Sequence, residues 1–357
     1  MSTPLVSVSM VVCSVDRYLA EAIDSILGQT FQDFEFIIVD FGSTDGSKSI
    51  ISKYAAIDSR IKFYEIPHCG LAEARNAACS RAQGKYVAIM DADDVCLPER
   101  LAWQVDFVER HPEVGAVGGA VEWIDATGRP LATFRHPLTD REIRSGLLTH
   151  SVLWQPSVLM LREAFVRVGG YRGPFAPSED YDLWLRISER FQLANLERTV
   201  LKYRIHPNQV SVRKMAQQSL GALAAQLAAS SRRDGLPDPL TSVEEITPNS
   251  LAVLGVSRAE QQSYLASYAM HWIRSFCMAR EYSAALNVAR EILRSDVEQV
   301  ERWQVANLWL VAARLSWKQR RFAEACLSAA RAVATRPIIL GRPIKPLLQS
   351  ARLLRAR

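Results

Sequence analysis

No two cysteines in this sequence are spaced C-x-x-C, and the six present, Cys13, Cys69, Cys79, Cys96, Cys277 and Cys326, are scattered along the chain. That excludes a zinc ribbon and a clustered disulfide framework, suggests no metal–thiolate site, and favours reduced thiols in a cytosolic compartment. No run of about 18 apolar residues free of charge exists, so a membrane-spanning helix is not expected. The opening MSTPLVSVSMVVC lacks the basic stretch of a secretory signal. Net charge is scarce too: 43 Lys and Arg against 38 Asp and Glu leave +5, too little to imply a nucleic-acid partner. What is abundant is apolar material, 48% of 357 residues, and that length exceeds what one core usually supports, so two domains are expected.

The first 125 residues alternate strand and helix signals. VSVSMVV (6–12), FEFIIV (34–39), IKFYE (61–65) and YVAIM (86–90) read as strands. Between them lie a helix with Asp16 as expected N-cap, Leu19, Ile23 and Ile26 on one face and Gly28 past its end, a second marked by Ile50, Ile51 and Tyr54, and a third over 70–84. Pro98 suits the first turn of the next helix, whose apolar face carries Leu101, Val105 and Val108. Such alternation implies a mainly parallel sheet covered on both faces. Ligands of such sheets bind outside the carboxyl ends of the strands.

Two of these strands end in acid. Asp40 closes FEFIIVD, and Asp91, Asp93 and Asp94 follow YVAIM as DADD. One strand-terminal Asp is ordinarily a turn former or helix cap. Two in one sheet, one of them a cluster, point elsewhere, because closely spaced carboxylates repel unless a cation lies between them. A hard cation on one or two carboxylates commonly takes phosphate as its other ligand, so a metal-bound diphosphate at the sheet edge is expected.

VSVSM, YLAEAIDSILGQTFQDFEFIIVD, GSTDGS, GLAEARN, GKYVAIMDADD and LPERL follow one another in an order that resembles the family 2 glycosyltransferases, over roughly residues 5–212. The resemblance implies a GT-A fold, an α/β, Rossmann-like architecture. It implies an inverting enzyme that moves a sugar from a nucleotide-diphospho-sugar, a UDP-sugar first among them, to a saccharide or lipid-linked hydroxyl in surface polysaccharide or glycolipid synthesis. It also implies Mn or Mg on the DxD, with Asp93 as direct ligand and Asp91 as ligand nearer the donor ribose. Asp40 then faces the nucleoside, and Arg75 of the ARN element either reaches the donor or forms a surface ion pair.

PSEDYDLWLRI (177–187) places an acidic pair at the start of a helix, where the dipole favours such residues without any catalytic role. The resemblance gives that pair a role, matching Asp180 to the base that accepts the acceptor's proton and Glu179 to its neighbour. Trp184 reads as core. LKYRIHPNQVS (201–211) resembles the segment that closes over the diphosphate, which makes His206 a candidate third metal ligand, or else Arg204 and His206 together candidate partners of the leaving diphosphate. HSVLWQPSVLMLR (150–162) reads as a strand beneath the acceptor cleft, and GGY (169–171) as a loop beside it. The chain departs from the family pattern at Cys13 and Ser14, where Tyr-Asn is usual, and at Phe41, where a second acid is usual. One reading is a compensating exchange in which the donor's base stacks on Phe41; the other is that Phe41 packs under the loop before GSTDGS.

Beyond about residue 215 the composition turns to Ala, Leu, Arg and Gln without a β-rich run. Expected boundaries are a catalytic domain over 1–215, a linker or helical connection over 216–250 and an α-helical region over 251–357. REYSAALNVAREIL (280–293) and RRFAEACLSAARAV (320–333) are self-similar at an offset of 40, suited to stacked helical hairpins or to a plain helical appendage. After Arg331 the tail carries Arg336, Arg342, Lys345, Arg352, Arg355 and Arg357 and no acid, as a segment lying on an anionic inner membrane surface would, or a solvated tail. Two other function classes are a sugar-nucleotide pyrophosphorylase and a non-catalytic scaffold. CSVDRYL stands where a pyrophosphorylase usually has a Gly-rich basic loop, and retention of DADD and SED counts against a degenerate domain.

Overall fold

A computed structural model of the chain describes residues 3–294 and 300–336. The chain divides into two compact units, one built from the chain through Arg204 with Gly221–Ile246, the other from Ile205–Leu220 and the chain from Thr247 onward.

The N-terminal half of the first unit alternates strictly: β1 (Val6–Val12), α1 (Asp16–Leu27), β2 (Phe34–Asp40), α2 (Ser47–Ile57), β3 (Ile61–Glu65), α3 (Leu71–Cys79) and β4 (Tyr86–Asp91). β1 pairs in parallel with β2 and β4, and β2 pairs in parallel with β3. β2 is buried along its whole length, as a parallel strand covered on both faces should be. Its one mid-strand acid, Glu35, is accommodated because Ser7 Oγ donates to it at 2.6 Å and the Gln83 N–H at 2.9 Å. The stripe Leu19, Ile23 and Ile26 on α1 is fully buried.

After β5 (Val95–Cys96) and α4 (Arg100–Arg110) the direction changes. β6 (Val114–Asp125), β7 (Pro130–Phe134), α5 (Asp140–Leu147), β8 (Leu159–Leu161), α6 (Arg162–Arg167), α7 (Glu179–Ser188) and β9 (Gln192–Ile205) follow. Among the described residues the sheet runs β3-β2-β1-β4-β8-β6-β9-β5, with β7 on the side of β6. The pairs β4–β8, β6–β8, β6–β7 and β5–β9 are antiparallel, so the parallel arrangement expected from sequence describes the first half and the sheet as a whole is mixed. The reason is visible in the connection from β6 to β7. A short turn through Gly128 (φ 88°), held by the Asp125 carboxylate on the Thr127 and Arg129 N–H groups, can join only antiparallel strands.

Local expectations shift in four places, the first being the helix expected over 70–84, which ends at Cys79. Asp16 opens α1 but does not cap it: Val15 is the N-cap, and the Asp16 carboxylate accepts instead from the Gly46 N–H. Pro98 precedes the first turn of α4 rather than entering it. The 150–162 segment is strand only at Leu159–Leu161, because Gln155–Ser157 coils into a 3₁₀ turn around Pro156.

The remaining elements are helical: α8 (Val210–Arg213), α9 (Met215–Arg233), α10 (Pro248–Val253), α11 (Arg258–Met278), α12 (Tyr282–Arg294), α13 (Arg302–Lys318) and α14 (Phe322–Thr335). The first half of the 216–250 connection is thus one helix, and Gly221–Ile246 within it belongs to the first unit. In the second unit α11 packs on α12, α12 on α13 and α13 on α14. The matched positions Ala285 and Ala325 are both buried, whereas Cys326 is exposed where Leu286 is buried. No helix among the described residues is long and apolar enough to cross a membrane. Of the basic tail, Arg336 is described and the other five cations lie outside the described residues.

Candidate active site

Strand register brings the acidic residues together. Val12 pairs with Asp40 and Val11 with Asp91, so β1, β2 and β4 end at one edge and present Cys13, Asp40 and DADD there. A cavity of about 770 Å³ lies at the opposite ends of the same strands, lined by Leu5, Gln83, Lys85 and Arg162 among others, and contains none of these acids. Strand-end chemistry, not cavity size, identifies the site.

Asp40 is fully buried, and its Oδ1 accepts from the N–H groups of Gly42 (3.1 Å) and Ser43 (3.0 Å). Its Oδ2 is buried with no hydrogen-bond partner. The GSTDGS loop beyond it is locked onto the turn after β1. Ser43 Oγ accepts from the Ser14 N–H (2.9 Å), Ser47 Oγ from the Val15 N–H (3.1 Å) and Asp45 from the Asp16 N–H (3.0 Å). This lock lets Ser14 hold φ 55° without being glycine. Phe41 is only 9% exposed, its ring nearly parallel to His68 at 6.2 Å between centroids, and His68 Nδ1 lies 3.1 Å from the Phe41 carbonyl. The ring therefore has little free face. Cys13 is half-buried, and burial, with Asp40 and Asp45 nearby, raises its thiol pKa.

DADD divides by residue. Asp94 is buried, and its Oδ1 accepts from the Arg204 N–H at 2.8 Å, so this acid anchors β9 to the end of β4. Burial, with Asp93 and Asp91 adding to it, raises its carboxyl pKa well above the usual range. The Arg204 side chain is 2% exposed: Nε donates to the Asp93 carbonyl (2.8 Å), Nη2 to Glu21 (2.6 Å), and the guanidinium lies over Tyr18 at 4.7 Å. It is therefore committed to holding the DADD turn and not free to meet a diphosphate, contrary to the sequence expectation. Asp91 and Asp93 stay partly exposed at the edge. His206 belongs to the second unit; it is buried and its N–H donates to Gln209 Oε1 at 2.9 Å.

The acids in the first turn of α7 have three fates. Glu179 is fully buried and its Oε1 receives Arg75 Nη1 at 2.5 Å. Asp182, also fully buried, pairs with Arg172 and Arg186. Asp180 stays partly exposed, its Oδ1 accepting the Tyr181 N–H at 2.8 Å. Arg75 links the two acidic groups, since its Nη2 reaches Asp91 Oδ1 at 3.3 Å. Only 12% exposed, it forms a buried bridge instead of a surface pair. Burial opposes its charge, but Glu179 and Asp91 outweigh that and raise its pKa. Asp91 is pushed up by burial, against Arg75 and with Asp93 adding to the rise. Asp180 is pushed up to about 7, chiefly by burial and then by Glu179.

Three supports escaped sequence reading. Asn76 of ARN is structural: its amide donates to the Tyr171 carbonyl (2.8 Å) and accepts the Tyr171 N–H (2.9 Å), fixing the GGY loop to α3. Gln155 donates to the Tyr171 hydroxyl at 2.6 Å, and that ring lies 6.0 Å from the Arg75 guanidinium. Asp94 was visible as a member of the cluster, but its separate duty was not. Trp184 is core as expected, with no exposed surface.

A family model described as glycosyl transferase family 2 matches residues 7–169. The O-antigen biosynthesis glycosyltransferase WbnJ of Escherichia coli is 33% identical over 206 residues, 57% of this chain and 80% of that protein. Among solved structures, S. aureus TarS 1-349 in complex with UDP-GlcNAc aligns with a TM-score of 0.51 at 16% identity, over 95% of this chain and 93% of that one. The mannosyltransferase PcManGT of Pyrobaculum calidifontis, in complex with GDP-Man and Mn2+, aligns with a TM-score of 0.50 at 19% identity, over 92% of this chain and 86% of that one. At such identities the two structures speak to the fold.

Proposed function

The chain belongs to glycosyl transferase family 2, and from that membership we propose that it transfers a sugar from a nucleotide-diphospho-sugar to a saccharide hydroxyl, with inversion at the anomeric carbon, in the synthesis of a surface polysaccharide. One observation carries the reading. Arg75 ties the strand-end carboxylate Asp91 to the helix-end acid Glu179, and so holds the neighbouring Asp180 at the edge where the donor would sit. The O-antigen role named for WbnJ supports the product class. The UDP-GlcNAc and GDP-Man bound by the two structural neighbours support the donor class and leave the base to be measured.

Within this reading Asp180 is the base. It is the one acid of the Glu179–Asp180 pair with exposed surface, and a carboxyl titrating near neutrality matches the task of taking a hydroxyl proton. With Oδ1 held by the Tyr181 N–H, Oδ2 is the atom that accepts the proton as the acceptor oxygen attacks the anomeric carbon. Glu179 does not touch substrate; it positions Arg75. Asp40, whose buried Oδ2 has no partner, is the acid this reading assigns to the nucleoside.

Asp91 and Asp93 are the residues that would hold a divalent cation, and their chemistry fits one. They are hard oxygen ligands on alternate residues, and the rise that Asp93 causes in Asp91 is repulsion a cation would relieve. Among the described residues no three His, Cys, Asp or Glu gather into a cage, so the donor's phosphate oxygens would complete the shell. When bound, the cation neutralises charge on the departing diphosphate. The test is product analysis with UDP- and GDP-sugars, a panel of saccharide acceptors and Mn2+. Nucleoside diphosphate should appear, and EDTA or Asp93→Ala should abolish metal-dependent donor binding. Release indifferent to EDTA would remove the metal from the account, and release of pyrophosphate would remove the transfer.

A further inference from the structure

On the far side of β4 from Asp40, the strands β8, β6 and β9 bring a group of rings together that the donor site does not use. Trp154, just before the 3₁₀ turn that leads into β8, is its centre. Its ring meets Tyr203 edge-on at 4.8 Å, lies 5.6 Å from Trp123, 6.4 Å from Phe134 and 5.7 Å from His136. Trp123 is buried and backs the group, whereas Trp154, Phe134, His136 and Tyr203 all keep partly exposed surface. Of the two indoles, Trp123 is buried and Trp154 keeps part of its ring at the surface.

The cluster is joined to the catalytic residues on two sides. Tyr203 precedes Arg204, which holds the DADD turn through Asp93 and Asp94. Trp154 precedes Gln155, whose amide grips the Tyr171 hydroxyl beside Arg75. Beside the Trp154 ring, Nε2 of His136 is buried and has no hydrogen-bond partner. Burial holds the His136 pKa down at about 4, so its ring is neutral at physiological pH and can pair with a hydroxyl. Flat rings with a polar atom beside them match a pyranose, which offers a C–H face to the rings and hydroxyls around its rim.

We propose that Trp154, flanked by Tyr203 and Phe134, is the platform on which the acceptor saccharide stacks, with His136 beside it to pair with a hydroxyl. This rests on the transferase reading, since it places the acceptor across the acidic edge from the nucleoside. A lipid tail or protein acceptor would not need a ring platform, so the proposal commits the acceptor to a saccharide.

Saturation-transfer NMR on the full chain with UDP, Mn2+ and a panel of methyl glycosides tests it. Ring C–H signals of at least one glycoside should be saturated in the wild type and fall at least fivefold in Trp154→Ala and Trp154→Leu, while Trp154→Phe retains most of the signal. The UDP signal should be unchanged in all three, which shows that the fold is intact. Should Trp154→Ala not fold, Trp154→Leu, which fills the site without an aromatic face, gives the reading. Glycoside signals equal in the Leu variant, or absent from the wild type, overturn the platform. Absence of the UDP signal from the wild type, and of a GDP signal in the same experiment, with glycoside binding still dependent on Trp154, supports the platform and contradicts the transferase reading instead.

Discussion

At the scale of residues, the site is a set of carboxylates sorted by what neutralises them. Glu179 and Asp182 are spent on arginines and Asp94 on a backbone N–H, which leaves Asp180 exposed enough to work. The sign of its pH dependence follows: the base acts only when ionised, so with its pKa at about 7 kcat/KM should fall about tenfold per pH unit below that value and level off above it. A profile flat down to pH 5 would mean another group takes the proton. Phe41 shows what sequence could not separate. A ring after a strand-end acid reads equally as a base platform or as packing, because only the fold says whether His68 covers it. With 9% exposure and a stacked His68, Phe41→Ala should lower the melting temperature markedly, the usual cost of removing a buried Phe being about 3–5 kcal/mol. A tenfold loss of donor affinity at unchanged melting temperature would restore the stacking role.

At the scale of elements, α3 is the bridge between the two acidic ends, through Arg75 at one point and Asn76 at another. Removing one partner of a buried ion pair costs about 3–5 kcal/mol, since the other charge is left uncompensated. Arg75→Ala leaves the fully buried Glu179 in that state, Asp91 being partly exposed, and urea denaturation should show a loss of that size. Arg75→Lys should recover only part of it, because an ammonium cannot reach two carboxylates with a planar fork. Denaturation midpoints equal to wild type would show that the bridge contributes nothing. The strands of the first half were legible almost to the residue, because an uninterrupted apolar run ending in Asp or turn residues has few alternatives. The second half was not: β8 is three residues long inside a stretch that reads as one strand, and the 3₁₀ turn at Gln155–Ser157 leaves only Pro156 as its signal. The duties of Asp94, Asn76 and Arg204 were hidden for a related reason. Each depends on a backbone group more than 90 residues away in sequence, which no local pattern encodes.

At the scale of the molecule, a mixed α/β unit gathers the whole proposed chemistry at one sheet edge, and a helical unit follows it in sequence. The change in composition near residue 215 announced the helices but not the return of Gly221–Ile246 to the first unit, because a helix that packs on a sheet and one that packs on other helices share the same periodicity. The central claim is that the partly exposed carboxylate of Asp180 performs the proton transfer while Glu179 and Arg75 hold the frame. The measurement that tests it most directly is single-turnover sugar transfer by Asp180→Asn beside calorimetry of donor binding with Mn2+. The account predicts unchanged donor affinity and transfer slowed at least about 100-fold; transfer near the wild-type rate would contradict it.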